Sequence, residues 1–105
     1  MTMSKKASQD KKQLRAIGHK LKPVVTVAGN GLSDTVLQEL ERALTDHELI
    51  KVKLAAPDRE TRAALATELC SRTGAELVQS IGNVVLVMRR AAKPDPRLSN
   101  LMRPF

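Results

Sequence analysis

Two hydrophobic periodicities alternate along this chain, and the switching between them limits its fold more than any other feature. Val24, Val25, Thr26 and Val27 form a β-branched run suited to a buried strand. Past Gly29-Asn30-Gly31, Val36, Leu37, Leu40, Ala43 and Leu44 recur at three- and four-residue spacing, the stripe of an amphipathic helix. Leu49 to Leu54 then alternates strictly, with Ile50, Val52 and Leu54 on one face and Lys51 and Lys53 on the other. Helical spacing returns at Leu65, Ala66, Leu69 and Cys70, and two further strands, 76–81 and 84–89, are joined by Gly82-Asn83, a two-residue link suited to a tight hairpin. Ahead of all this, Leu14, Ile17 and Leu21 mark a short basic helix over about 8–21 that Lys22-Pro23 ends.

The order αβαβαββ predicts an α/β open-faced sandwich: a four-stranded mixed sheet with helices on one face. If each crossover joins parallel strands and both helices lie on the same face, the half-exposed second strand falls at a sheet edge, where guarding against aggregation is the alternative reading of Lys51 and Lys53. Helix boundaries are punctuated. Ser33 caps the second helix, Pro57-Asp58 opens the third, and Gly74 closes it.

A chain of 105 residues is one ordinary domain. The longest apolar run, 84–88, is too short to span a membrane, and MTMSKK does not resemble a secretory signal, so a cytoplasmic location is expected. Cys70 is the only cysteine, which excludes an internal disulfide and a cysteine-based zinc site; it reads as a small hydrophobe of the third helix. The net charge of +7 is unevenly spread. Residues 1–22 hold seven basic side chains and one acid, residues 89–105 five and one, so the remaining middle is −3. The chain therefore divides into a flexible basic N-terminus (1–7), a binding domain (8–90) and a flexible basic tail (91–105) with three prolines and no periodicity.

The loop Ala28-Gly29-Asn30-Gly31 joins a buried strand to a helix N-terminus, so its N–H groups and the helix dipole can face one anion. Glycine permits close approach of a sugar-phosphate backbone, and Asn30 tolerates the left-handed region. The segments KPVVTVAGNGLSDTVLQELERAL, HELIKVKLA, DRETRAALATEL and TGAELVQSIGNVVLVMRR, in this order over about 14–90, resemble the YhbY family, whose CRM domain (chloroplast RNA splicing and ribosome maturation) binds RNA. The resemblance implies a fold similar to the C-terminal domain of bacterial initiation factor three. It also implies association with precursors of the large ribosomal subunit and a GxxG loop that clamps nucleic-acid backbone. Ala28 stands where the family has the first glycine, which would cost about 1 kcal/mol if that position needs positive φ.

Phe105 is the sole aromatic residue, so the stacking platforms of other RNA readers are excluded. Phosphate contact is left, through Ala28, Gly29, Asn30 and Gly31 with Lys20, Lys22, Lys51, Lys53, Arg59 and Arg62. For the two arginines the alternative is a solvated face paired with Glu60 or nearby acids. His19 and His47 read as helix C-terminal residues. The chain contains no nucleophile, base and orienter set, so a binder is expected rather than an enzyme, with no cofactor, metal, small-molecule substrate or membrane partner, acting as a monomer on ribosomal RNA or a pre-large-subunit particle. The alternative is a nucleic-acid-binding adaptor with a DNA or protein partner and no ribosomal role.

Overall fold

A computed structural model describes residues 11–28 and 31–101. Residues 11–18 are helical (α1). There follow β1 (Pro23–Val27), α2 (Asp34–His47), β2 (Leu49–Leu54), α3 (Arg59–Thr73), β3 (Glu76–Ile81) and β4 (Val84–Met88), the αβαβαββ order of an α/β sandwich. The expected caps form: the Ser33 hydroxyl accepts from the Val36 N–H at 3.2 Å, and Asp58 accepts from the Thr61 N–H at 2.9 Å. Gly74, at φ 75, closes α3. At the hairpin only Gly82 has positive φ, the pattern of a type II′ rather than a type I′ turn.

The sheet order is β1-β2-β4-β3, with β1 and β2 parallel and β4 antiparallel to both its neighbours. This corrects the expected edge position of the second strand. The hairpin returns β4 into the place beside β2, so β2 is interior and β1 and β3 are the edges. Lysines 51 and 53 are thus not edge guards; they are accessible because only part of the sheet's second face is covered.

One face carries the main core, where Val25, Val27, Val52, Leu54, Val85 and Val87 pack against Leu40 and Leu44 of α2 and Leu65, Ala66 and Leu69 of α3. Half-buried Cys70 packs at its margin, where burial pushes its thiol pKa up. The two crossover helices share this face as expected, but α1 lies on the other. Its Leu14 joins Leu49, Val78 and Leu86, with Ile17, Leu21, Met88 and Leu101 around them. Gly18 allows the approach: a Cβ there would sit 2.5 Å from Leu86 Cδ2.

The expected flexible tail is a second correction, because residues 91–101 are docked. Glu48, 3% exposed and at φ 63, accepts hydrogen bonds from the Ala91 N–H and from the Ser99 hydroxyl at 2.7 Å. Asn100 donates through its backbone to His47 O at 2.9 Å and through its side chain to Leu49 O at 2.6 Å, satisfying carbonyls at the start of β2 that β1 does not reach. The His47 ring donates to Leu98 O at 2.9 Å. Composition concealed this, since the anchors are single polar side chains with no period. Arg89, counted from sequence with the basic end, is also internal. It donates to Glu41 Oε1 and Thr73 O, each at 2.8 Å, and to Thr45, tying α2 to the end of α3. Residues 1–7 and 102–105 lie outside the described residues.

Ser99→Ala leaves a buried Glu48 oxygen without its donor. Urea unfolding is expected to show a loss of about 1–3 kcal/mol; a free tail would give no change.

Candidate functional site

The strand order gathers three connections at one rim. Parallel β1 and β2 both end there, and antiparallel pairing brings the hairpin tip to the same side. Cross-bonds hold the connections together: Ala55 N–H donates to Val27 O at 2.8 Å, and Leu54 N–H to Asn83 O at 2.6 Å. Since α2 and α3 both start at this rim, the positive ends of two helix dipoles point to it.

The 28–31 connection closes on itself, the Gly31 N–H donating to Ala28 O at 3.0 Å. That commits one of the loop's N–H groups to the protein itself. Gly31 carries the left-handed conformation, φ 90, and Ala28 does not. The missing first glycine therefore costs the backbone nothing here. Leu32 packs on the core and fixes the chain's return. Gly29 and Asn30, central to the expected cradle, lie outside the described residues.

Around the loop the structure brings together Lys53, Arg59 and Arg62. Lys53 is exposed on β2, level with Thr26 and Val84. Arg62 Nη1 donates to Ala56 O at 3.0 Å and Pro57 O at 3.2 Å, bracing the β2–α3 connection. Arg59 and Arg62 line a small cleft with Ala63 and, across from them, Ser80 and Gly82 of the hairpin. Sequence reading missed Ser80 and Gly82 as neighbours of these arginines, because nothing local announces that β3 ends beside α3. Lys51 sits one row in from Lys53 on the same face, level with Pro23 and Leu86. Lys20 and Lys22 are not at the rim; they precede β1, and Lys22 lines a surface cleft with Leu21, His47, Asn100 and Lys51.

Acids temper the charge, with Asp34 and Glu60 in the first turns of α2 and α3. The Thr61 hydroxyl, at 2.7 Å, and the Thr61 N–H hold the Asp58 carboxyl below its ordinary pKa. Among the described residues no group of three or more His, Cys, Asp or Glu could hold a metal ion, and no helix is long and apolar enough to cross a membrane.

The family model of the CRS1/YhbY (CRM) domain matches residues 7–89. The chain belongs to this family. The Pseudomonas aeruginosa protein named Probable RNA-binding protein PA4753 is 58% identical over 95 residues, covering 90% of this chain and 91% of that one. A Haemophilus influenzae protein named RNA-binding protein is 42% identical over 87 residues, 83% of this chain and 88% of its own. The solution structure of Staphylococcus aureus SAV1595 superposes with a TM-score of 0.72 at 27% identity, over 81% of this chain and 88% of that one. This CRM domain thus has the family's fold.

Two outcomes follow from the rim. Ala28→Gly relaxes no strain and adds freedom to the unfolded chain, so thermal unfolding should show a loss of about 0.4–1 kcal/mol. Gly31→Ala, at positive φ, should lose about 1–2 kcal/mol, the larger effect of the two. Asp58, whose folded pKa is depressed, stabilises α3 fully above its unfolded value near 3.8, and that stabilisation is lost as pH falls through the lower folded value. The stability gap between the wild type and Asp58→Ala should accordingly be open at neutral pH and close progressively below about pH 4 in urea titrations.

Proposed function

We propose that this CRM-family chain is a non-catalytic RNA-binding protein that grips phosphate backbone at the rim formed by the 28–31 loop, Lys53, Arg59 and Arg62, with Lys51 extending the contact onto the open sheet face. The observation that carries the reading is the convergence of these residues at one rim through the β1-β2-β4-β3 order. Support for RNA as the polyanion comes from the family and from the names of the relatives. The ribosomal target, ribosomal RNA or a precursor of the large subunit in the cytoplasm, rests on the resemblance to the YhbY proteins. Lys20 and Lys22 take a lesser part in this reading, because they precede β1, and Lys22 lies beyond Lys51 as seen from the rim.

Four basic side chains at or next to the rim set the expected salt dependence. Neutralising about four phosphates gives log K against log salt a slope of about −2.8 to −3.6, from single- to double-stranded sites. Lys53→Ala and Arg59→Ala should each make the slope shallower by about 0.7–0.9. Arg97→Ala serves as the control, since Arg97 is exposed on the tail and faces Asp95 at 3.6 Å; it should leave the slope unchanged. Fluorescence anisotropy on ribosomal RNA fragments, with duplex DNA alongside, checks this. Equal affinity for DNA, or binding insensitive to salt, would refute the phosphate-centred RNA reading.

A further inference from the structure

The sheet face that carries Lys51 and Lys53 is only partly covered. Helix α1 and Leu101 shield the rows around Leu49, Leu86 and Met88, and the half nearer the rim stays open. There Pro23, Lys51, Gln79, Ile81, Val84 and Leu86 line a shallow trough of about 210 Å³ running across the sheet from β1 to β3. Its open apolar surface is carried chiefly by Ile81, which is 60% exposed, beside half-buried Val84. The bulge between Leu77 and Gln79 helps to shape it. The bulge places Val78 in the α1 cluster while Gln79 stays level with Leu86, its amide at the trough's margin.

We infer that this trough receives one unpaired base of the bound RNA. The inference rests on the RNA reading above and deepens it, from a polyanion to a strand with at least one base free of pairing. Three features of the trough argue for this occupant. Its volume lies below the roughly 300 Å³ at which pockets for drug-sized ligands begin, so a single flat ring system fits its scale better than a larger molecule. It combines an aliphatic floor with an amide and an ammonium at the edge, matching a base that has apolar faces and a hydrogen-bonding perimeter. Its position continues the phosphate rim, because Lys53 and Val84 are paired neighbours at the rim and Lys51 and Leu86 are the next row. A backbone held at the rim therefore has the exposed Ile81 and the half-buried Val84 in the same strand row as Lys53, with Lys51 in the next. With no aromatic side chain in its lining the trough does not sandwich a base; an aliphatic floor removes one face of the base from water without stacking, and gives little discrimination between bases.

The test compares octa-adenylate with a duplex RNA of eight base pairs, using the full chain and the variants Ile81→Ser, Gln79→Ala and Arg59→Ala. Because Ile81 and Gln79 lie outside the main core, unchanged thermal unfolding is expected for both trough variants. Ile81→Ser should weaken octa-adenylate binding by about five- to tenfold and leave its salt slope unaltered, since no phosphate contact is lost. Gln79→Ala should weaken it less, and both should change duplex binding by less than about twofold. Arg59→Ala should do the reverse, reducing the slope for both ligands. Equal losses on single strand and duplex would overturn the base-binding role, as would no loss at all with an intact Arg59 effect. A sedimentation coefficient of the RNA-free chain that falls on Ile81→Ser would make the trough a contact between copies instead. Failure of the wild-type chain to bind either RNA would overturn the RNA reading itself, an outcome distinct from all of these.

Discussion

The side chain of Glu48 is the interaction on which one whole end of the molecule depends. Glu48 stands between α2 and β2 at φ 63, a conformation that costs a non-glycine residue about 1–3 kcal/mol. It persists because each of its polar groups is engaged. The N–H closes α2 on Leu44 O at 2.9 Å, the C=O accepts from the Arg89 N–H at 2.8 Å, and the carboxyl oxygens accept from Ala91 and Ser99. One residue thereby joins the end of a helix, the start of a central strand, the end of its neighbour and the returning tail. With the tail fixed, Leu101 completes the cluster under α1 and Asn100 covers the carbonyls that β1 leaves open. Charged residues are rarely so buried without this degree of pairing.

Pinning that end leaves the opposite rim free for function. The strand order sends both parallel strands, both crossover-helix N-termini and the hairpin tip to the same side. The residues proposed to meet RNA therefore come from segments far apart in sequence: the 28–31 loop, Lys53, and Arg59 and Arg62, with Ser80 and Gly82 facing the two arginines. The division matches a general feature of α/β sheets, in which ligands sit outside the carboxyl ends of strands.

Much of the fold was legible because periodicity reports local structure directly. The six elements in 23–88 fall within a residue or so of the expected bounds, and the caps Ser33, Asp58 and Gly74 each act as their types suggest. Strand order was not legible. Alternation in Leu49–Leu54 says only that one face is accessible, and an edge position and an incompletely covered interior position give the same pattern. The tail escaped for a related reason: Ser99 and Asn100 dock by pairing with Glu48, His47 and Leu49, about fifty residues away. At the rim, residue types pointed to Lys53, Arg59 and Arg62. Lys20 and Lys22 shared the same charge signal, but they precede β1 and are not at the rim. Ala28 illustrates the converse. Its departure from the family glycine suggested strain, and the backbone shows that the left-handed demand falls on Gly31 instead.

The α3 side of the rim is held by several bonds at once, and this bears on what it can contribute. The start of α3 is braced by the Asp58 cap, by the Ala55 bond to Val27 and by Arg62, whose Nη1 spans the carbonyls of Ala56 and Pro57. An arginine suits that place because its guanidinium has five donors in a fixed fork, so one nitrogen can hold the loop while others remain directed outward. A lysine there would have a single ammonium for both tasks. Across the rim, among the described residues, the Gly31 N–H closes on Ala28 O and Leu32 anchors the chain on the core. In the RNA reading proposed above, a phosphate meeting the α3 side finds groups already in position and loses little entropy in using them. Cations braced in this way suit recognition of a backbone's shape over any one sequence.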